Sequence, residues 1–123
     1  MPHQTLRIGT RGSALARWQA DWVAGKLREF GHATELIEIA THGDRDRSRS
    51  IEDIGTRGVF TKEIQRALLA GDVDLGVHSL KDLPTEPVDG LILAAVPPRE
   101  SPADVLVVAR SREQGAGSSI AHR

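Results

Sequence analysis

The chain has 123 residues, with 16 basic and 17 acidic side chains, a formal net charge of −1 and no cysteine. That length suggests one compact domain, while the balanced charge, with Trp18, Trp22, Phe30 and Phe60 as the only aromatic residues, supplies neither the basic surface nor the stacking platforms that nucleic acid binding uses. The lack of cysteine excludes disulfides, thiolate metal ligands and a cysteine nucleophile, and the opening MPHQTLRIG has no apolar signal core, so the expectation is a soluble, cytoplasmic protein with no membrane role.

In chain order, Thr5 to Gly9 reads as a first strand and Thr10 to Ser13 as a turn. Ser13 is placed to cap a helix over Ala14 to Phe30. Leu15, Trp18, Trp22, Val23, Leu27 and Phe30 recur at helical spacing and predict its apolar face, and Gly31 suits the end of it. A tight turn opening a helix offers free backbone N–H groups to an anion, and Arg11 adds a planar fork of donors suited to a carboxylate. The same residues also fit a plain cap and a surface arginine.

Thr34 to Ala40 predicts a second strand. Thr41 to Thr56 is polar, with alternating charge, and reads as a long solvated loop of the kind that covers a ligand cleft. His42, Asp44 and Asp46 within it make a poor metal set, so no metal site is predicted. Gly55 to Gly58 ends the loop with two glycines around Arg57, which could meet an anion or only water. A second helix follows over Thr61 to Ala70. Its stripe of Phe60, Ile64, Ala67 and Leu68 is explained by core packing, and Gly71 caps it.

Val73 to Val77 predicts a third strand running into HSLKDLPT. His78, Ser79, Lys81 and Asp82 then bring an imidazole, a hydroxyl, a cation and a carboxylate together before Pro84 ends regular pairing. Ligands of open α/β sheets bind outside the carboxyl ends of strands, although Ser, Lys, Asp and Pro are also ordinary turn residues. Leu91 to Val96 predicts a further buried strand, Pro97 to Pro102 a boundary, Ala103 to Ala109 another strand, and the rest a frayed tail. The strand–helix alternation predicts an α/β fold, a mostly parallel sheet flanked by helices. Residues 1–98 form an N-terminal domain in this reading, and 99–123 a hinge, the start of a second domain and the tail.

RIGTRGSALARWQA (residues 7–20) and GTRGVFTKEIQRALLAGDVDLGVHSLKDLPT (residues 55–85) resemble, in the same order, segments of the hydroxymethylbilane synthase family, also called porphobilinogen deaminase; the resemblance covers roughly residues 5 to 108. It implies one lobe of a fold like the type II periplasmic binding proteins, lacking a strand that would return later in the chain. It implies the joining of four porphobilinogen molecules into linear hydroxymethylbilane with release of ammonia, in tetrapyrrole biosynthesis, by a monomeric transferase. Asp82 matches the family's catalytic aspartate. Arg11, Ser13, Arg57, Ser79 and Lys81 match positions that hold the acidic side groups of the pyrrole chain, and Gln19 matches a further family position. The family primes the chain with a dipyrromethane cofactor on a cysteine that this sequence lacks. Family members are well over twice as long, so the expectation is an N-terminal fragment, inactive alone. Asp53 departs from members with lysine there. A small-carboxylate binding module and a non-catalytic interaction remnant are the alternatives.

Overall fold

Leu6–Thr10 forms strand β1, Ala14–Glu29 helix α1, Thr34–Glu38 strand β2, Lys62–Ala70 helix α2 and Leu75–Gly76 strand β3. The computed structural model describes residues 4–41, 60–101 and 103. The predicted lid loop with His42, Asp44, Asp46, Asp53 and Arg57, and all but the first residue of the predicted strand at 103–109, lie outside the described residues. The chain divides into two compact units, Met1–Ile92 and Leu93–Arg123.

The sheet order is β2-β1-β3, with both pairings parallel. Leu6 to Thr10 stand opposite Thr34 to Glu38, and Ile8 and Gly9 stand opposite Leu75 and Gly76. Two further bonds lengthen the short β3 ladder: the Asp74 N–H donates to the Arg7 carbonyl at 2.8 Å and the Val77 N–H to the Gly9 carbonyl at 3.1 Å. At the same end, Arg7 Nε and Nη2 donate to Asp74 Oδ2 and Oδ1 at 3.1 and 2.9 Å, and the Arg7 backbone N–H donates to Oδ2 at 2.8 Å. This two-pronged pair fastens β3 to β1.

Successive strand residues face opposite sides of a sheet, and β1 uses both. Ile8 is fully buried against Ala20 and Ala24 of α1, with Leu27, Leu36, Leu75 and Val77 packed around them. Gly9 and Gly76 face the other side. A Cβ on Gly9 would lie 3.2 Å from Ile39 Cδ1 and Val73 Cγ2, and one on Gly76 would lie 2.8 Å from Ile64 Cγ2. The helices therefore cover opposite faces, and α2 sits close because two adjacent strands lack side chains there.

The buried face of α1 differs from the predicted one. Ala16, Ala20 and Ala24 are buried, whereas Leu15, Trp18, Trp22 and Phe30 are 57%, 58%, 39% and 79% exposed. Of the predicted face, Val23 and Leu27 are half-buried. The parallel sheet takes the helix by its small residues, which let the backbone come near. Both helices end as their glycines predict. Gly31 and Gly71 have φ of 87° and 78°, and the pairs Gly31/His32 and Gly71/Asp72 donate N–H groups back to Arg28/Leu27 and Leu68/Ala67, satisfying the last-turn carbonyls. The buried strand predicted at Leu91–Val96 is not formed. That stretch has no regular structure, and Ile92, Leu93 and Val96 are 88%, 63% and 58% exposed, because among the described residues no strand pairs with it. An apolar run by itself cannot supply that partner.

Candidate functional site

The order β2-β1-β3 means the chain leaves β1 toward one neighbour and later returns on the other side. The carboxyl ends of β1 and β3 therefore lie side by side where the strand order reverses, and such a switch point forms the ligand crevice of open α/β sheets. Both sequence-selected segments begin there, TRGS directly after β1 and HSLKD directly after β3.

In the first segment, Thr10 is buried and its hydroxyl donates to the Arg11 carbonyl at 3.1 Å. A Cβ on Gly12 would stand 2.8 Å from Glu38 Cδ, the far end of an exposed side chain that is free to swing aside. Ser13 is extended (φ −66°, ψ 151°) and its Oγ accepts the Ala16 N–H at 3.3 Å, so it caps α1 as predicted. In the second segment, Leu80–Asp82 closes a 3₁₀ turn, with the Asp82 N–H on the Ser79 carbonyl at 2.9 Å. Lys81 is exposed on this turn and Asp82 is half-buried.

The two segments meet. Arg11 Nη1 lies 3.8 Å from Asp82 Oδ2, with the side chains 20% and 17% exposed. That is an ion pair too long to be a hydrogen bond. The Arg11 guanidinium also lies over the Phe60 ring, 3.8 Å from its centroid, a cation–π contact. Ser79 Oγ donates to Gln19 Oε1 of α1 at 3.1 Å. Burial pushes the His78 imidazole below its ordinary pKa; the Asp82 carboxylate opposes that effect and the Arg11 guanidinium adds to it.

Of the sequence-selected residues, Arg11 and Asp82 are brought together, Ser13 and Lys81 flank them along the chain, and Ser79 turns to α1. Phe60 was assigned to the core stripe alone, and nothing in its spacing marks it as a rest for Arg11. Gln19 was marked by the family resemblance alone. Its bond spans 60 residues of sequence, a separation that local patterning does not reach. Among the described residues no group of three His, Asp or Glu side chains is placed to hold a metal, and no helix is long and apolar enough to cross a membrane.

A family model described as "Porphobilinogen deaminase, dipyromethane cofactor binding domain" matches residues 6–121. The chain belongs to the porphobilinogen deaminase family. It is 47% identical over 88% of its length to a porphobilinogen deaminase of Pelotomaculum thermopropionicum, of which it covers 35%. It is 53% identical over 87% of its length to porphobilinogen deaminase 1 of Streptomyces avermitilis, covering 33% of it. A probable porphobilinogen deaminase of Halobacterium salinarum is 47% identical over 87% of this chain and 27% of that protein. The chain thus spans about a third of the length of the curated relatives it matches. The site residues suit the cofactor that the family description names. Arg11, the Ser13 hydroxyl and Lys81 offer cationic and hydroxyl donors to its carboxylates, and Asp82 offers an acceptor to its pyrrole N–H groups. The thioether attachment has no counterpart here, since the sequence contains no cysteine.

Proposed function

We propose that this chain supplies the N-terminal part of a hydroxymethylbilane synthase site, where four porphobilinogen molecules are joined head to tail with loss of ammonia. The observation that carries the reading is the Arg11–Asp82 pair, 3.8 Å apart at the switch point, in a chain of the porphobilinogen deaminase family. Each porphobilinogen carries an acetate and a propionate, so the growing chain is a polyanion. Arg11, Lys81 and the Ser13 hydroxyl hold those carboxylates, with Arg57 and Ser79 completing the binding set. Each addition breaks the C–N bond to the departing ammonia and leaves a positively charged pyrrole; a C–C bond then forms, and the ring proton at the new bond is lost. Asp82, facing the ring nitrogens, stabilises that charge and helps pass the proton. Dipyrromethane, when bound, supplies the primer on which the chain grows; a cysteine from another segment attaches it. The scaffold is one lobe of a type II binding-protein-like fold, and the assembled enzyme is a cytoplasmic monomer with no nucleic acid or membrane partner.

The test is a chimera in which this chain replaces the matching third of the Pelotomaculum thermopropionicum relative. Ammonia release and tetrapyrrole colour are followed with porphobilinogen as substrate. Turnover that Asp82→Asn cuts by about two to three orders of magnitude, with the melting temperature unchanged, supports the reading. A chimera that is folded by circular dichroism and gives no ammonia sinks it, and near-normal turnover by Asp82→Asn removes Asp82 from its role.

A further inference from the structure

Helix α1 carries a second apolar stripe besides the one that meets the sheet. Leu15, Trp18 and Trp22 are spaced three and four residues apart, so they share one side of the helix, and all three are exposed. The helix does not need them for its own seat, since Ala16, Ala20 and Ala24 with Leu27 hold it to the sheet. Large apolar side chains gathered in one exposed patch mark a surface that another body covers, and tryptophan is among the residues that anchor such contacts. The patch has limits at both ends. Beyond Trp22, the Lys26 ammonium lies 5.7 Å from the Trp22 ring and pairs with Glu29 at 3.0 Å, a polar rim of the kind that borders an interface. Toward the start of the helix the patch runs into the crevice. Leu15 stands just after the Ser13 cap, and Gln19, four residues from Leu15 and three from Trp22, reaches across to Ser79 at 3.1 Å.

Two facts together point to what covers the patch. The chain spans about a third of the length of the curated relatives it matches. The primer of the proposed reaction hangs on a cysteine, of which this sequence has none. The segment that carries that cysteine has to bring the primer to Arg11 and Asp82, at the end of the sheet where α1 begins. A body placed there lies against the first turns of α1.

We propose that the face formed by Leu15, Trp18 and Trp22 is the docking seat of the cysteine-bearing segment of the full-length enzyme, so that the primer reaches the crevice on a body anchored to the helix whose first turn lines it. The identity of that segment rests on the function proposed above; the presence of an occupied seat does not. Leu15 and both indole rings are then buried in the assembled protein and exposed only in this chain alone.

The chimera described above tests this beside the 123-residue chain. A photoreactive benzoylphenylalanine takes the place of Trp18 in both, and the cross-linked peptide is located by mass spectrometry. In the chimera the cross-link is expected within the segment that carries the cysteine. A cross-link to any other part of the chimera, a cross-link only between two copies, or none at all overturns the proposal. Trp18→Ser gives a reading that does not depend on the probe. It should lower the melting temperature of the chimera by several degrees more than that of the 123-residue chain. Equal shifts overturn the proposal, because the indole would then act within this chain. A chimera that does not fold, beside a parent relative that does, overturns it as well, since the segment then finds no seat on this helix. The expected cross-link in a folded chimera that releases no ammonia from porphobilinogen upholds the seat and sinks only the function, while ammonia release with the cross-link elsewhere sinks the seat alone.

Discussion

Arg11 shows how a flexible cation is made into a fixed donor. Its guanidinium rests on the Phe60 ring and faces Asp82, so fewer rotamers remain to be frozen when a carboxylate arrives. His78 lies beside this pair, and its lowered pKa has a defined consequence for stability. The fold favours the neutral imidazole, so below the ordinary histidine pKa the unfolded chain binds more protons. The stabilisation from this group is complete above about pH 6.5 and is lost as pH falls through the lower folded value. His78→Asn should therefore flatten the loss of stability between pH 7.5 and pH 5, compared by urea melts at each pH with values in that range set by the ordinary histidine pKa of about 6.5. An unchanged acid slope would mean that His78 titrates alike in both states. At this scale the loops that carry Arg11 and Asp82 were legible because charge, glycine and proline punctuate loops in a way that sequence displays, while the choice of these two residues came from the family resemblance. The contacts of Phe60 and Gln19 were not legible, since each depends on which distant segment lies opposite.

Helix α1 belongs to the sheet through three alanines with Leu27 beside them, while Leu15, Trp18 and Trp22 face outward. Ala20→Leu should cost about 1–3 kcal/mol by overpacking against Ile8. Trp18→Ser, which would cost several kcal/mol if the tryptophan were in the core, should cost under about 1 kcal/mol. Equilibrium urea unfolding of both variants checks the order, and a costlier Trp18→Ser would restore the face predicted from hydrophobicity. That prediction failed for a physical reason: spacing identifies which residues share a face, while how near the helix must approach the sheet selects small residues over large ones. The tie between β3 and β1 gives a second prediction. Asp74 is held below the usual carboxylate range by the Arg7 side-chain bonds first and the Arg7 backbone N–H next, against a smaller effect of burial. Its contribution is present above the ordinary carboxylate pKa and disappears as pH falls through the lower folded value. Asp74→Asn should lower stability at pH 7 and make the acid limb of the stability profile shallower, read from melts between neutrality and strong acid. A variant as stable as wild type at neutral pH would show that the Arg7 pair does not fasten β3.

At the scale of the molecule, the alternation of strands and helices, their approximate ends and the two glycine stops were readable from periodicity and capping residues. The sheet order was not, because it is a choice among neighbours that no local pattern states; nor was the irregular state of Leu91–Val96, an apolar run without a partner strand among the described residues. The long-range ties have a bearing on time as well as on place. Arg7 with Asp74 and Gln19 with Ser79 join positions 67 and 60 residues apart, so the Arg11–Asp82 crevice exists only after β3 has found β1 across that span. Closing so long a segment costs entropy before any contact repays it, which places crevice assembly late in folding. A ligand that binds the finished crevice would then leave the folding rate almost untouched and act by slowing unfolding, so bound chains would differ from free ones in lifetime more than in speed of formation.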